Sequence, residues 1–87
     1  MKTIFKYPLY LVDEQTVPLP NGAQPLSVQL QNGELYMWAL VDIQSPSNPR
    51  RFRIFGTGTP AMLDSNWHFL DTVQQGMLVW HIFVEMV

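Results

Sequence analysis

The run Met77-Leu78-Val79-Trp80-His81-Ile82-Phe83-Val84-Glu85-Met86-Val87 is β-branched and aromatic almost throughout and closes the chain without a polar tail. Such a segment predicts a strand held inside a sheet. Two-residue alternation sets Leu78, Trp80, Ile82, Val84 and Met86 on one face, and His81 and Glu85 on the other among Met77, Val79 and Phe83. Both faces are largely apolar. This predicts burial on both sides, or one face on the core and the other on a neighbouring subunit.

The same period governs the rest of the chain. Leu26, Val28 and Leu30 alternate with Ser27, Gln29 and Gln31, the pattern of a strand with one wet face and a well-specified register. Asn32-Gly33 tolerates the positive φ angles of a type I′ turn and predicts a hairpin into Glu34–Asp42. There Leu35, Met37, Ala39 and Val41 share one face and Tyr36, Trp38 and Leu40 the other, as in a central strand. Lys2 to Tyr7 reads as a first strand, extended beyond Pro8 through Leu11 and Val12, with a turn at Asp13 and Glu14. Pro18 and Pro20 confine Thr16 to Pro20 to an edge or an irregular segment, and Asn21-Gly22 is a turn.

Ser45-Pro46-Ser47-Asn48-Pro49 reads as a loop leading through Arg50 and Arg51 into a strand over Phe52 to Phe55, ended by Gly56-Thr57-Gly58-Thr59-Pro60. Trp67 to Gln74 is a further strand, turned by Gln75-Gly76 into the terminal one. Ala61 to Asn66 has room for one helical turn, but no apolar period lasts three turns anywhere, so long helices are not expected. The expectation is one all-β domain over residues 1–87, a small antiparallel sandwich or partly open barrel of six to seven short strands.

Composition narrows the function classes. Only 14% of residues are charged and 47% are apolar, against about 25% charged in an average soluble domain. So little charge coats a lone small domain poorly, and a homo-oligomer is expected. Cysteine is absent, which excludes a disulfide framework, a thiolate metal site and a cysteine nucleophile. Net charge is −2, and extended nucleic acid, which needs a broad basic surface, is not an expected partner. Neither a secretory leader nor a bilayer-spanning apolar stretch is recognisable, so the expected location is cytoplasmic, without a membrane partner.

Three of the five basic residues cluster at Arg50, Arg51 and Arg53, just before Gly56-Thr57-Gly58-Thr59. Guanidinium forks match phosphate oxygens, and glycines admit close approach of backbone N–H groups and threonine hydroxyls. Arg51 and Arg53 share a strand face opposite Phe52 and Ile54. The segment lacks the lysine of a phosphate-binding P-loop, and a solvated strand face ending in a turn explains it as well. Trp38 is the candidate for stacking a base, because Asp42 lies on its face; the other tryptophans are expected in the core. His68 and His81 have no ligand spacing that suggests a metal, and Glu85 lies about 13 Å along the strand from His81, so both histidines are expected to be structural. Ser27, Ser45, Ser47 and Ser65 have no nucleophile motif around them.

Met1-Lys2-Thr3-Ile4-Phe5-Lys6-Tyr7-Pro8-Leu9, Trp38-Ala39-Leu40-Val41-Asp42, Phe52-Arg53-Ile54-Phe55-Gly56-Thr57-Gly58 and Leu78-Val79-Trp80-His81-Ile82-Phe83 together resemble a family of small bacteriophage proteins described as a domain of unknown function. The resemblance spans essentially the whole chain and implies a phage accessory protein acting in the cytoplasm of an infected bacterium. By analogy with small oligomeric phage proteins that sequester nucleotide-derived immune signals, the expected function is non-enzymatic capture of a small anionic ligand by an oligomer. Arg50, Arg51, Arg53, Gly56, Thr57, Gly58, Thr59 and Trp38 would form its site, with no cofactor and no metal. An inhibitor of a host defence protein and a virion or assembly component are the alternatives.

Overall fold

The computed structural model describes residues 1–86; Val87, the last residue of the apolar terminal run, lies outside the described residues. Seven strands follow one another: β1 (Lys2–Pro8), β2 (Glu14–Pro20), β3 (Gln24–Gln31), β4 (Glu34–Asp42), β5 (Ser47–Gly56), β6 (Trp67–Gln75) and β7 (Leu78–Glu85). They form two antiparallel sheets, ordered β1-β4-β3 and β2-β5-β7-β6, and no described residue is helical. The sheets pack as a sandwich without closing into a barrel. A shortest principal extent of 16 Å fits two layers about 10 Å apart.

Alternation fills the space between them. Leu35, Met37, Ala39 and Val41 of β4 face Val28 of β3, Val17 and Leu19 of β2, Phe52 and Ile54 of β5, and Ile82 and Val84 of β7 across one core. β4 and β7 are both interior strands, as their two apolar faces predict. The Asn32-Gly33 turn has φ angles of 53° and 81°, the two positive values that a type I′ hairpin needs.

Three local readings are corrected. Ser47–Pro49 belongs to β5, paired through Pro20↔Ser47, Leu19↔Asn48 and Pro18↔Pro49. Ile54 N donates to Asp13 O, which turns the even-numbered amides of β5 towards β2 and the odd-numbered ones towards β7. Pro49, with no N–H, therefore faces the side where β7 has already ended, and its missing donor costs no ladder bond. Leu11 and Val12 do not extend β1 but lie in a bend, with Val12 N donating to Tyr10 O at 2.9 Å. Ala61–Asn66 forms no helical turn, because the Asp64 carboxylate accepts from Asn66 N at 2.8 Å and sets up a turn into β6 instead.

Two β-bulges re-aim side chains. One lies between Pro25 and Ser27 in β3, the other between Phe69 and Asp71 in β6. The first turns Leu26 out of the core-facing set that Val28 and Leu30 keep. The second shifts the β6–β7 register by one residue, from Asp71↔Ile82 to Phe69↔Phe83, and so carries Trp67 and Phe69 onto the outer face.

Candidate functional site: the arginine face and the apolar end

The outer face of the β2-β5-β7-β6 sheet is built of cross-strand rows. Register sets Arg53 beside Phe83 and Phe69, and Phe55 beside His81 and Thr72; Trp67 lies opposite Glu85, whose carboxylate reaches Arg51. Phe55, Phe83 and Phe69 meet edge to face, with centroid separations of 5.9 and 5.7 Å. The segment after β5 crosses this face, held by a hydrogen bond from Arg53 Nη1 to Met62 O at 2.9 Å.

The arginines arrive at different places. Arg50 lies on the core side of β5 and is buried; Nη1 donates to Ala23 O at 3.0 Å, and Nε and Nη2 donate to Glu85 O at 3.3 and 3.2 Å. Burial lowers its pKa and the Glu85 charge partly restores it. Arg50 thus ties the β2–β3 turn to the end of β7. Arg51 donates from Nε and Nη2 to Glu85 Oε2 at 2.9 and 2.6 Å, and from Nη1 to Glu14 Oε2 at 3.2 Å. That hydrogen bond with Glu85 raises the Arg51 pKa and lowers that of Glu85. Arg53 Nε is buried without a hydrogen-bond partner among the described residues, and Glu14 Oε1 lies 3.9 Å from it. Two guanidinium groups on this face are thus matched by two carboxylates.

Trp38 does not share that face. It stands on the outer side of the other sheet, in register with Lys6 and Ser27 and edge to face with Tyr36 at 6.3 Å, so it cannot meet a ligand held by Arg51 and Arg53 of the same chain. The tryptophan beside the arginines is Trp67, whose ring centroid is 5.1 Å from the Arg51 guanidinium and 5.6 Å from that of Arg53. Counting back from the Gln75-Gly76 hairpin puts Trp67 on the core side, since the bulge that moves it outward carries no sequence signal of its own.

Gly56–Thr59 and His81 do meet. With Phe55, Ala61, Phe69 and Phe83 they line a cleft of about 260 Å³. Thr57 Oγ1 lies 2.7 Å from His81 Nε2, and Thr72 Oγ1 lies 3.1 Å from His81 Nδ1. A neutral imidazole satisfies both contacts by donating at one nitrogen and accepting at the other. The Thr57–His81 contact has the length of a nucleophile–base pair, yet the group orienting the ring is a neutral hydroxyl that supplies no counter-charge to an imidazolium. Among the described residues no three His, Cys, Asp or Glu side chains group as metal ligands.

The loops at one end of the sandwich carry a surface that the sequence did not single out. Three adjoining clefts run around this end. One of about 400 Å³ is lined by Pro8–Leu11, Gly33–Leu35 and Gln75. The second, of about 130 Å³, holds Leu11, Val12, Asp13 and Trp80. The third, about 440 Å³, holds Thr57, Met77, Leu78 and Trp80. Tyr10, Leu11, Val12, Met77 and Leu78 are all exposed here, Tyr10 by 67% and Met77 by 99%. The bend presenting Leu11 and Val12 is braced: Gln15 Oε1 accepts from Tyr10 N at 2.9 Å while Gln15 Nε2 donates to Tyr10 O at 2.7 Å. The charged side chains lining these clefts are Asp13 and Glu34, both acidic.

Searches of curated proteins and of solved structures find no significant match. A family model, described as a domain of unknown function (DUF7352), matches residues 1–87. The braced apolar end, the ion-paired arginine face and the seven-strand sandwich that carries both are therefore features of a chain that belongs to the DUF7352 family.

Proposed function

We propose that the protein is a non-catalytic binding module that engages a partner protein through the apolar end of the sandwich. The observation that carries this reading is the Gln15 clamp, which fixes the backbone of a bend whose Leu11 and Val12 side chains face water. Ordering such a loop in advance lowers the entropic cost of binding, and exposed apolar residues around clefts with a polar rim suit protein recognition. Asp13 and Glu34 as the charged lining favour a partner whose apolar anchors are flanked by lysine or arginine. Capture of a nucleotide-derived anion is the second reading. Its support is the Gly56–Thr59 turn beside His81 and the two outer-face arginines, but a phosphate there competes with Glu85 and Glu14. An accessory role in phage infection, as an inhibitor of a host defence protein, fits the first reading and is part of the proposal.

The test is a selection of random peptides on the immobilised protein, alongside calorimetry with cyclic and linear nucleotides and ADP-ribose derivatives. Enrichment of apolar peptides with basic flanks, lost in Leu11→Asp and Met77→Asp, is the expected result, with no heat from nucleotides. Nucleotide binding that disappears in Arg51→Ala would transfer the function to the arginine face, and the absence of any enriched peptide would remove the protein-binding reading.

A further inference from the structure

Two sheets present four edge strands, and three of them are closed to pairing. β2 carries Pro18 and Pro20, which donate nothing to a ladder. β3 and β6 carry the two bulges and are joined to each other where Val28 N donates to Asp71 Oδ2 at 2.9 Å. β1 has none of these protections. Its register with β4 runs from Lys2↔Asp42 to Pro8↔Tyr36 without interruption, and its one proline is the last residue. Lys6 does not screen this edge either. Lys6 Nζ lies 4.4 Å from the Tyr36 ring centroid and donates to Gln31 Oε1 at 2.7 Å, so its side chain lies back across the sheet. Lys2 stands in register with Asp42.

Leu9 N donates to Leu35 O at 3.0 Å, which continues the β1–β4 register and assigns the odd-numbered residues of β1 to bonds with β4. The amides of Lys2, Ile4 and Lys6 therefore point away from the sheet. On the inner side of β1, Phe5 is 45% exposed although its register partner Ala39 is fully buried, and Ile4 on the outer side is 54% exposed. A regular edge without a bulge, with exposed apolar side chains beside its free amides, is one that native proteins cover.

We propose that β1 pairs antiparallel with β1 of a second copy of this chain, about a two-fold axis through Phe5, to give a continuous sheet β3-β4-β1-β1-β4-β3. The charges select this register. With Phe5 on the axis, Ile4 stands opposite Lys6 and Lys2 opposite Pro8, whereas an axis through Ile4 sets Lys2 against Lys6 on both sides. The outward amides and carbonyls of Ile4 and Lys6 pair fully, and Pro8, which has no N–H to offer, falls at the end of the ladder. The two Phe5 rings form a non-hydrogen-bonded pair, the closer kind, and cover the part of the inner face that each copy leaves open.

The decisive experiment combines light scattering with site-resolved amide exchange on the full chain. Expected are a mass twice the 10.1 kDa of the chain at low micromolar concentration, and Ile4 and Lys6 amides whose exchange slows as the dimer fills. Thr3, Phe5 and Tyr7 amides stay slow at every concentration. Ile4→Pro deletes an outward N–H and spares the β1–β4 ladder, and Ile4→Lys sets lysine against Lys6; each is expected to yield a folded monomer by circular dichroism. A monomeric parent overturns the proposal, as does a dimer in which Ile4 and Lys6 exchange at surface rates. If both variants fail to fold, the exchange pattern of the parent still decides.

Discussion

Among single residues, Arg50 and Arg51 differ in what they do, although they are neighbours in the chain. Arg50 satisfies two backbone carbonyls from the buried side of β5. Arg50→Met keeps an unbranched apolar stem but removes the guanidinium and orphans those acceptors, with an expected loss of roughly 1–3 kcal/mol in denaturant unfolding. A change within about 0.5 kcal/mol, the range of an ordinary surface substitution, would show that water replaces the guanidinium at no cost. Arg51 instead makes stability depend on acid. The pKa of Glu85 is lowered chiefly by its hydrogen bond to Arg51, so the pairing contributes fully above the ordinary glutamate value of 4.5 and is lost as pH falls through the lowered folded value. Arg51, with its pKa raised by the same contact, keeps its charge throughout. Thermal midpoints followed from about pH 6 down to pH 3 should fall more steeply for the parent than for Glu85→Gln; parallel slopes would remove the ion pair from the acid transition. That Arg51 and Arg53 share an outer face follows from alternation alone. Their occupation by Glu14 and Glu85 does not, because those partners stand 37 and 34 residues from Arg51 on other strands.

Strands and turns were legible to the extent that their signals are local. Asn32-Gly33, the alternation of β4 and the apolar β7 each specify their own geometry, and the structure realises them. Gly33 sits at φ 81° with open space around a would-be Cβ. Gly33→Ala should therefore cost about 1 kcal/mol from backbone conformation alone, measured by chemical denaturation, and a neutral result would mean that the hairpin adopts another turn type. Ile82 of β7 is fully buried, and Ile82→Ala should cost about 2–5 kcal/mol; a smaller loss would mean that the two sheets close over the void. What the sequence did not reveal were the bulges at Leu26 and Leu70. Each arises where an edge strand bends to meet the other sheet, and neither is marked by the glycine that often betrays such a site. Missing the second misassigns Trp67, and with it the composition of the arginine face. Ser47–Pro49 was hidden for a related reason: its proline excludes a strand only if both of its sides are paired, and here one side is free.

At the scale of the molecule, the arrangement of edges decides how the sandwich meets its surroundings. One flank is sewn shut where β3 and β6 approach, the Asp71 carboxylate accepting from Val28 N across the gap and from Thr72 N at 2.8 Å within its own strand. The opposite flank leaves β1 free, and the apolar loops lie at one end between the two. A carboxylate in place of a direct strand-to-strand ladder lets the sheets part company without closing a barrel, with Asp71 carrying the hydrogen bond across the seam beside the packed Val28 and Val73. Asp71→Ala removes that acceptor, with an expected cost of about 1–3 kcal/mol, and frees the Val28 amide on the flank that is otherwise closed to pairing. The change should therefore alter association as well as stability. Faster amide exchange at Val28 and growth of species larger than those of the parent on warming are the expected outcomes, while Asp71→Asn, which keeps an oxygen in place, should preserve the seam. Unchanged Val28 exchange in Asp71→Ala would show that packing of β3 against β6 holds this flank closed without the hydrogen bond.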